Sequence, residues 1–441
     1  MCRLRLAAKV ICSAIDMGQY LPHLYIDFDA FFASVERQLH GVPPHVPLGV
    51  VSFDSDYASM IAVCYAAKRL GIKRGARVNE AREICPALRV FPARHDVYVR
   101  LHHRIRALVH DIVPVMKACS IDELSCNTKG IADVDLPALE ARLRAAIRAE
   151  FGEFITPSIG ISCTPLLAKI AAEMDKPSGF VTLHPHDLPG RLLGLELSDI
   201  PGIAKGYLKR LNAAKIETVE QLWNLQPKHA RAIWRSVEGE RLWAELHGQE
   251  VIRDRVKKSM FSHGRILSRE WQRPEKAAEC LYLLTNKAAR RARASGLYVS
   301  KVTASVRMDK ARPSMTAACP PSRDNLTIFR AARAAYSAIC AAHPHKRMRS
   351  VSICLHGLKT YAHSGGDLFD RAGDITARKH LDRLFVDIDI LNTLYGPDTV
   401  TLGIIPDLPG GYAGAKIAFG RIPDAKDFGV EFGEDSAMEA A

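Results

Sequence analysis

The sequence lacks the features that define several common protein classes. Its eleven cysteines are an odd number and include no C-x-x-C pair, which argues against a disulfide framework and against a zinc site. No apolar run is long enough to cross a bilayer, and no internal repeats are evident. These absences indicate a cytoplasmic protein with reduced, scattered thiols.

Positive charge is in excess. The chain has 441 residues, a formal net charge of +13 and a pI of about 9.2, with 48% hydrophobic and 25% charged residues. This length allows several domains. The charge indicates a polyanionic partner, nucleic acid before membrane, although an ordinary basic soluble protein would have the same balance.

An acidic strand is predicted near the start of the chain. Between residues 24 and 29, apolar and polar residues alternate with the period of a half-buried strand that contains Asp27. Phe28, Phe32, Val35 and Leu39 then repeat at helical spacing. A buried carboxylate needs a partner such as a metal ion or a charged ligand. Alternatively, Asp27 caps the helix that follows.

A second acidic pair, Asp122 and Glu123, follows an apolar run at residues 112–116. Together with Asp27 it could chelate hard divalent cations, since Mg²⁺ prefers oxygen ligands and pairs of ions promote phosphoryl transfer. Alternatively, the pair lies at a solvated hairpin end. Adjacent residues of a regular strand point to opposite faces, so both can reach one metal cluster only if the strand ends or twists there.

A strand followed by a helix forms a third element. Residues 158–162 predict the strand, and the helix over 164–174 has Thr164 as N-cap and Pro165 at its first position. With the acidic segments, this element resembles the Y-family (translesion) DNA polymerases, closest to the polymerase IV-like (DinB/UmuC-type) branch. The matching motifs are DFDAFFASVE (27–36), YAAKRLGIKRG (65–75), SIDE (120–123) and SIGISCTPLLAKIAAEMDKPSG (158–179).

The resemblance implies an α+β fold. We expect a right-hand polymerase with a ferredoxin-like palm, small fingers, a helical helix-hairpin-helix thumb and a β-α-β-β-α-β little-finger domain. The palm is predicted to mix an antiparallel sheet with helices on one face. The expected ranges are a flexible leader (1–22, unless translation starts at Met17), palm (23–39 and 97–184), fingers (40–96), thumb (185–250), little finger (255–360) and a partly disordered tail (361–441).

The resemblance also implies two-metal catalysis. Asp27 and Asp122 would bridge two Mg²⁺ ions, for which Mn²⁺ can substitute. Glu123 would hold the ion that activates the primer 3′ oxygen, and the carbonyl of Phe28 would be a further ligand. Asp29 is assigned a supporting role.

Nucleotide contacts follow from the same resemblance. Phe31 and Phe32 would lie near the incoming sugar, with Phe32 as the steric gate against ribonucleotides. Tyr65, Lys68 and Lys176 would contact the triphosphate. Lys68 stands where the family usually has arginine, and Ala62 where it has threonine or serine, so the grip on the phosphates should weaken.

The remaining predictions concern partners. Primer–template DNA, a dNTP, a monomeric state, no membrane contact and a place in the bacterial cytoplasm at the nucleoid are implied. Gly366–Phe369 (GDLF) weakly resembles a sliding-clamp peptide. The histidines His95, His102, His103 and His110 should share a helix and be solvated or phosphate-facing rather than metal ligands. An alternative function is a catalytically weak accessory subunit of a translesion complex.

The little-finger region carries many cations, which would neutralise phosphates. They are Lys257, Lys258, Arg265, Arg269, Lys287, Arg290, Arg291, Arg293, Lys301 and Arg307.

Overall fold

A computed structural model describes residues 21–253, 258–360, 372–396, 399–402 and residue 422. The chain divides into two compact units. The N-terminal unit is described over 21–253, and the C-terminal unit from residue 258 onward. Within the described ranges, no helix is both long and apolar enough to cross a membrane.

The N-terminal unit contains eight strands and ten α-helices within its described residues. The strands are β1 (His23–Phe28), β2 (Leu48–Val51), β3 (Met60–Val63), β4 (Arg89–Pro92), β5 (Val115–Ala118), β6 (Glu123–Asn127), β7 (Pro157–Ser162) and β8 (Phe180–Leu183). The helices are α1 (Phe31–Leu39), α2 (Tyr65–Arg69), α3 (Val78–Ile84), α4 (His95–Ile112), α5 (Leu136–Phe151), α6 (Pro165–Met174), α7 (Lys205–Ala213), α8 (Val219–Trp223), α9 (Pro227–Trp234) and α10 (Glu238–Leu246).

The palm region is built on a five-stranded sheet of order β5-β6-β1-β7-β8. β1 pairs antiparallel with β6 and with β7, but β7 and β8 are parallel. The prediction of an antiparallel palm sheet is therefore wrong at this edge, because helix α6 forms the crossover that a parallel pair requires.

Helix α6 begins as the sequence predicts. The Thr164 hydroxyl accepts a hydrogen bond from the Leu167 backbone N–H at 3.2 Å, and Pro165 occupies the first position. The helix lies so close to β7 that a Cβ atom on Gly160 would overlap backbone atoms of Ala168 and Ala172. Glycine at position 160 therefore fixes the separation between strand and helix.

The fingers region contains a three-stranded sheet of order β3-β2-β4. The sequence predicts short strands at residues 50–53 and 59–63, which agree with β2 and β3 to within two residues. Strand β4 has no counterpart in this prediction. Its burial pattern does not alternate, so it carries no strand signal. Leu48, Val50 and Met60 pack with residues of α2 and α3 in a shared core.

The thumb region contains α7–α10. The segment predicted as a helix-hairpin-helix turn begins with only a short 3-10 helix, Leu197–Asp199. Gly202 follows with a φ of +96°, a conformation that favours glycine. Helix α7 then starts at Lys205.

The C-terminal unit has the predicted order β-α-β-β-α-β. Its elements are β9 (Met260–Ile266), α11 (Pro274–Ala294), β10 (Val299–Arg307), β11 (Ser314–Ser322), α12 (Asn325–Ala342) and β12 (Ser350–His356). The sheet order is β11-β10-β12-β9, and its pairs are antiparallel. Alternate residues of β10 and β12 are buried against α11 and α12, which leaves the other face of the sheet open.

A further helix, α13 (Ala372–Leu394), lies in the segment assigned to the tail. Phe385 and Ile388 bury their side chains, and Asp389 forms an ion pair with Arg293 of α11, whose side chain is 3% exposed. The prediction that Arg293 meets phosphates is therefore wrong, because its guanidinium is buried against this helix.

Several predictions fall outside the described residues. They concern most of the leader (1–20), the clamp-like peptide Gly366–Phe369, Lys257 and most of the segment from 403 onward.

Candidate active site

The three predicted metal ligands, Asp27, Asp122 and Glu123, lie at neighbouring backbone positions where β1 meets β6. Asp27 is the Cα partner of Glu123, the first residue of β6. Asp122 lies in the bend just before that strand, and its carbonyl accepts a hydrogen bond from the Phe28 N–H at 2.9 Å. Because the strand begins at Glu123, Asp122 lies outside it. The two adjacent side chains therefore need not point to opposite faces of the sheet. The condition that the strand ends at this pair is therefore met.

Asp27 is buried, with 7% of its surface exposed. Its carboxylate pairs with the Lys176 ammonium at 2.7 Å. Burial raises the pKa of Asp27 to about 7, although Lys176 opposes the shift. The α1 N-cap is Ala30 without a side-chain hydrogen bond, so Asp27 does not cap this helix. Its ionised form depends on a nearby cation.

Two side chains contact the Glu123 carboxylate, and the sequence predicts neither contact. The Tyr25 hydroxyl donates to Oε2 at 2.8 Å, and the Lys169 ammonium contacts Oε1 at 2.6 Å. Burial alone would raise the pKa of Glu123, but the Lys169 partner lowers it below its usual range. Glu123 therefore stays ionised at neutral pH.

Asp122 has a different environment. Its carboxylate accepts a hydrogen bond from the Ser120 hydroxyl, and burial raises its pKa despite this bond. Among the described residues, the acids whose ligand atoms lie within 4.8 Å of one another are Asp27, Glu123 and Glu173. Glu173, which lies in the matching motif 158–179 but has no role assigned from the sequence, thus joins the pocket, and Asp122 is turned toward Ser120.

The donor set suits a hard divalent cation. Carboxylate oxygens from two strands and one helix converge, and the one buried acid among them, Asp27, needs a positive partner. At present Lys176 supplies that charge to both Asp27 and Glu173, at 2.7 and 3.0 Å. The residues at this place therefore fit a metal ion.

Asp29 has a structural role. It is 3% exposed, and its carboxylate accepts four hydrogen bonds. The donors are the Tyr65 hydroxyl (3.2 Å), the Ser158 hydroxyl (2.9 Å), the Thr156 hydroxyl (3.1 Å) and the Ser178 N–H (2.8 Å). These bonds tie the β1–α1 turn to α2, to β7 and to the segment after α6.

The two phenylalanines of α1 differ in exposure. The Phe31 ring is buried beside Phe28, at 6.1 Å between centroids. Phe32 keeps exposed area and stacks on Tyr98 of α4, with centroids 4.3 Å apart and planes 15° apart. The Tyr98 hydroxyl donates to Glu36 at 2.7 Å. Tyr98, which no motif indicated, therefore braces the ring predicted as the steric gate.

Cations predicted to meet a triphosphate lie beside these acids. Lys68 lies over the Tyr65 ring, 4.1 Å from its centroid. Burial lowers the pKa of Lys68, and Lys176 nearby adds to the shift. The hydroxyl of Tyr65 is engaged with Asp29, so Tyr65 and Lys68 form a fixed pair at the start of α2.

His102 differs from the sequence expectation. It lies on the predicted helix, α4, but it is 2% exposed rather than solvated. Its Nδ1 lies 2.8 Å from the Ile121 carbonyl, next to Asp122. Burial lowers the pKa of His102 to about 4. The ring is therefore neutral at pH 7 and steadies the turn before β6.

Comparison with known families identifies the chain. The model of the impB/mucB/samB family matches residues 26–173, and that of the family's C-terminal domain matches 257–368, together more than half of the chain. The chain belongs to the DinB-like branch of the Y-family DNA polymerases. The resemblance found in the motifs is thus confirmed. Y-family polymerases use divalent metal ions, which agrees with the acidic pocket.

The similar curated proteins are named DNA polymerase IV. The protein from Moorella thermoacetica is 36% identical over 203 residues, which cover 45% of this chain and 50% of that one. The protein from Neisseria meningitidis serogroup A is 33% identical over 206 residues, 45% and 56% of the two chains. The Yersinia enterocolitica protein is 27% identical over 267 residues, 59% and 75%. The chain thus spans only about half the length of two of these relatives.

Solved structures establish the fold. A Y-family DNA polymerase chimera, Dbh-Dpo4(243-245)-Dbh, matches with a TM-score of 0.60 and 19% identity, covering 77% of this chain and 99% of its own. An insertion ternary complex of Dbh DNA polymerase matches with a TM-score of 0.52 and 20% identity, with the same coverage. The predicted α+β right-hand polymerase fold is confirmed.

Proposed function

We propose that this Y-family member is a template-directed DNA polymerase of the translesion class. It would transfer a nucleotide from a dNTP to a primer 3′-OH with low fidelity and so serve DNA damage tolerance. The observation that supports the proposal is that Asp27 of β1 lies opposite Glu123 of β6, with Asp122 directly before Glu123. The accessory-subunit alternative is not favoured, since a subunit without chemistry does not need these three acids.

The chain's own residues have distinct roles in this proposal. Asp27, Asp122, Glu123 and the Phe28 carbonyl would hold two Mg²⁺ ions, or Mn²⁺ in their place. Bound ions of this kind supply electrostatic stabilisation of the charge that develops during phosphoryl transfer. The carboxylates hold their positions through contacts from the protein, which lowers the cost of reorganisation.

The nucleotide would lie between α1 and α2. Lys176, Lys68 and Tyr65 would contact its triphosphate, and Lys176 would leave Asp27 to do so. Phe32, braced by Tyr98, would collide with a ribose 2′-hydroxyl, while Phe31 supports its position from the core.

Primer–template DNA is the proposed macromolecular partner. The solved neighbours include a ternary and a binary complex of Dbh DNA polymerase, and the net charge of +13 suits a polyanion. We further propose that the protein acts as a monomer at the nucleoid of the bacterial cytoplasm. Sliding-clamp binding through Gly366–Phe369 belongs to the same proposal.

Primer extension tests the activity. Wild type should extend a primer with Mg²⁺ and all four dNTPs, and the double variant Asp122→Ala/Glu123→Ala should not. Both should bind DNA with equal affinity in fluorescence anisotropy. A control with two exposed acids removed, Asp54→Ala/Asp56→Ala, should retain extension. Absence of extension by wild type under any metal would refute the proposal.

A further inference from the structure

Tyr25 lies beside the candidate active site without belonging to the metal-binding set. It precedes Asp27 by two residues on β1, so both side chains leave the same face of the strand. Its hydroxyl donates to Glu123 Oε2 at 2.8 Å. The Tyr25 hydroxyl therefore reaches an acid on the neighbouring strand β6.

The Tyr25 ring has little freedom. It is 5% exposed and packs with Ala168 and Ala172 of α6 and with Cys119. Small alanine side chains let the helix approach the strand closely, and they leave the ring wedged between α6 and the sheet. A hydroxyl on a ring held in this way has a defined position.

Lys169 of α6 supplies the second contact to Glu123. Its ammonium contacts Glu123 Oε1 at 2.6 Å and the Tyr25 hydroxyl at 3.3 Å. Each carboxylate oxygen of Glu123 thus has its own donor, one from β1 and one from α6. Two donors from different elements fix the plane of the carboxylate as well as its location.

We propose that Tyr25 is a positioning residue of the polymerase site, which orients the Glu123 carboxylate toward the metal-binding pocket through its hydroxyl. The proposal rests on the proposed function for its kinetic consequences, whereas its structural consequence is metal affinity. Without the hydroxyl, Glu123 keeps Lys169 but can rotate about that single contact. An ordering hydrogen bond of this kind changes an equilibrium constant by about fivefold to tenfold.

The conservative variant Tyr25→Phe tests the proposal, since it removes one oxygen and keeps the ring. Mn²⁺ binding to the protein–DNA complex, followed by electron paramagnetic resonance, should weaken about fivefold. In primer extension the Mg²⁺ concentration for half-maximal rate should rise by a similar factor, while the KM for dNTP and the DNA affinity stay within twofold. Tyr336→Phe is the matched control, because that hydroxyl donates to the Pro274 carbonyl in the other unit. It should change none of these quantities.

A double-mutant cycle separates positioning from general damage to the fold. If Tyr25 acts through Glu123, then Tyr25→Phe should have no further effect on Mn²⁺ affinity in a Glu123→Gln background. An equal loss in both backgrounds would overturn the proposal, and so would an unchanged Mn²⁺ affinity of the single variant. If wild type binds Mn²⁺ but extends no primer, the proposed function fails while the cycle still decides the role of Tyr25.

Discussion

The two units handle charge in different ways. Around β1 and β6, acids are buried or partly buried and face fixed cations, as Asp27 faces Lys176 and Glu123 faces Lys169. On the open face of the C-terminal sheet, Lys301 and Arg307 are exposed and alternate with small polar side chains. Buried pairs hold one geometry, whereas exposed cations attract any polyanion that approaches. The first arrangement suits catalysis at one site, and the second suits binding along the phosphate backbone of a nucleic acid.

Arg293 is an exception to this contrast, because it is a buried cation in the C-terminal unit. Arg293→Met should destabilise the C-terminal unit by about 3 kcal/mol, since Asp389 would lose its buried partner. Hydrogen exchange should show earlier loss of protection in α13. Lys276→Met removes an exposed pair with Glu279 and should change stability by less than about 0.5 kcal/mol. Equal protection of α13 in both variants would contradict the assignment.

Phe32 tests whether the N-terminal unit selects its substrate by a fixed surface. Phe32→Ala should raise ribonucleotide incorporation relative to deoxynucleotide incorporation about 100-fold, because the ring that blocks a 2′-hydroxyl is gone. Single-nucleotide extension with matched rNTP and dNTP measures the ratio. Phe91→Ala, in which a partly buried ring of the fingers sheet is removed, should leave the ratio unchanged. Unaltered sugar discrimination in Phe32→Ala would rule out the steric gate at this position.

His102 should make the N-terminal unit sensitive to acid. Its pKa of about 4 in the folded protein lies below the ordinary value of 6.5, so its contribution is present above pH 6.5 and is lost as the pH falls toward 4. Between pH 7.5 and 5 the loss should be about 2 kcal/mol. Burial causes most of this shift, and His103 and Arg106 add to it.

Urea unfolding at both pH values measures this loss through tryptophan fluorescence. Trp223, Trp234 and Trp243 all lie in the N-terminal unit. His102→Gln stays neutral at either pH and should lose correspondingly less stability. The same loss in variant and wild type would exclude His102 as the source.

Lys301 and Arg307 test whether the exposed cations of the C-terminal sheet bind DNA. Removing both, as Lys301→Ala/Arg307→Ala, should weaken DNA binding about tenfold and reduce the slope of log K against log salt by about 2. The control Lys276→Ala/Arg333→Ala removes two exposed cations from the helices and should change the slope little. Identical slopes for the two double variants would show that the open sheet face does not bind phosphates.

Local patterns predicted most of the fold. The sequence predicts a strand near residues 260–266 and a helix over 325–342, and the structure has both elements with these bounds. The reason is that alternation and helical spacing are properties of short segments. Helix α13 was missed, although Leu381, Phe385 and Ile388 have helical spacing, because glycine and acidic residues around it favoured a disordered tail. Strand β4 was missed because it has no alternation to detect.

The site was predictable only in part. The ordered motifs located Asp27, Asp122 and Glu123, since the family resemblance carries their positions. Tyr25 and Tyr98 lie outside the matching motifs and Glu173 lies inside one. None of the three has a role assigned from the sequence, because their importance depends on contacts between residues far apart in the sequence. Charge counting likewise could not separate Arg293 from exposed arginines, since composition does not reveal which face of a helix is buried.

Gly160 has a wider consequence than its size suggests. The helix that rests on its bare backbone carries both Lys169 and, just past its end, Lys176. A single added methyl group would push this helix outward and shift both ammonium groups at once. Two carboxylates on separate strands would then lose their cations together. The absence of a side chain at position 160 thus keeps Lys169 next to Glu123 and Lys176 next to Asp27.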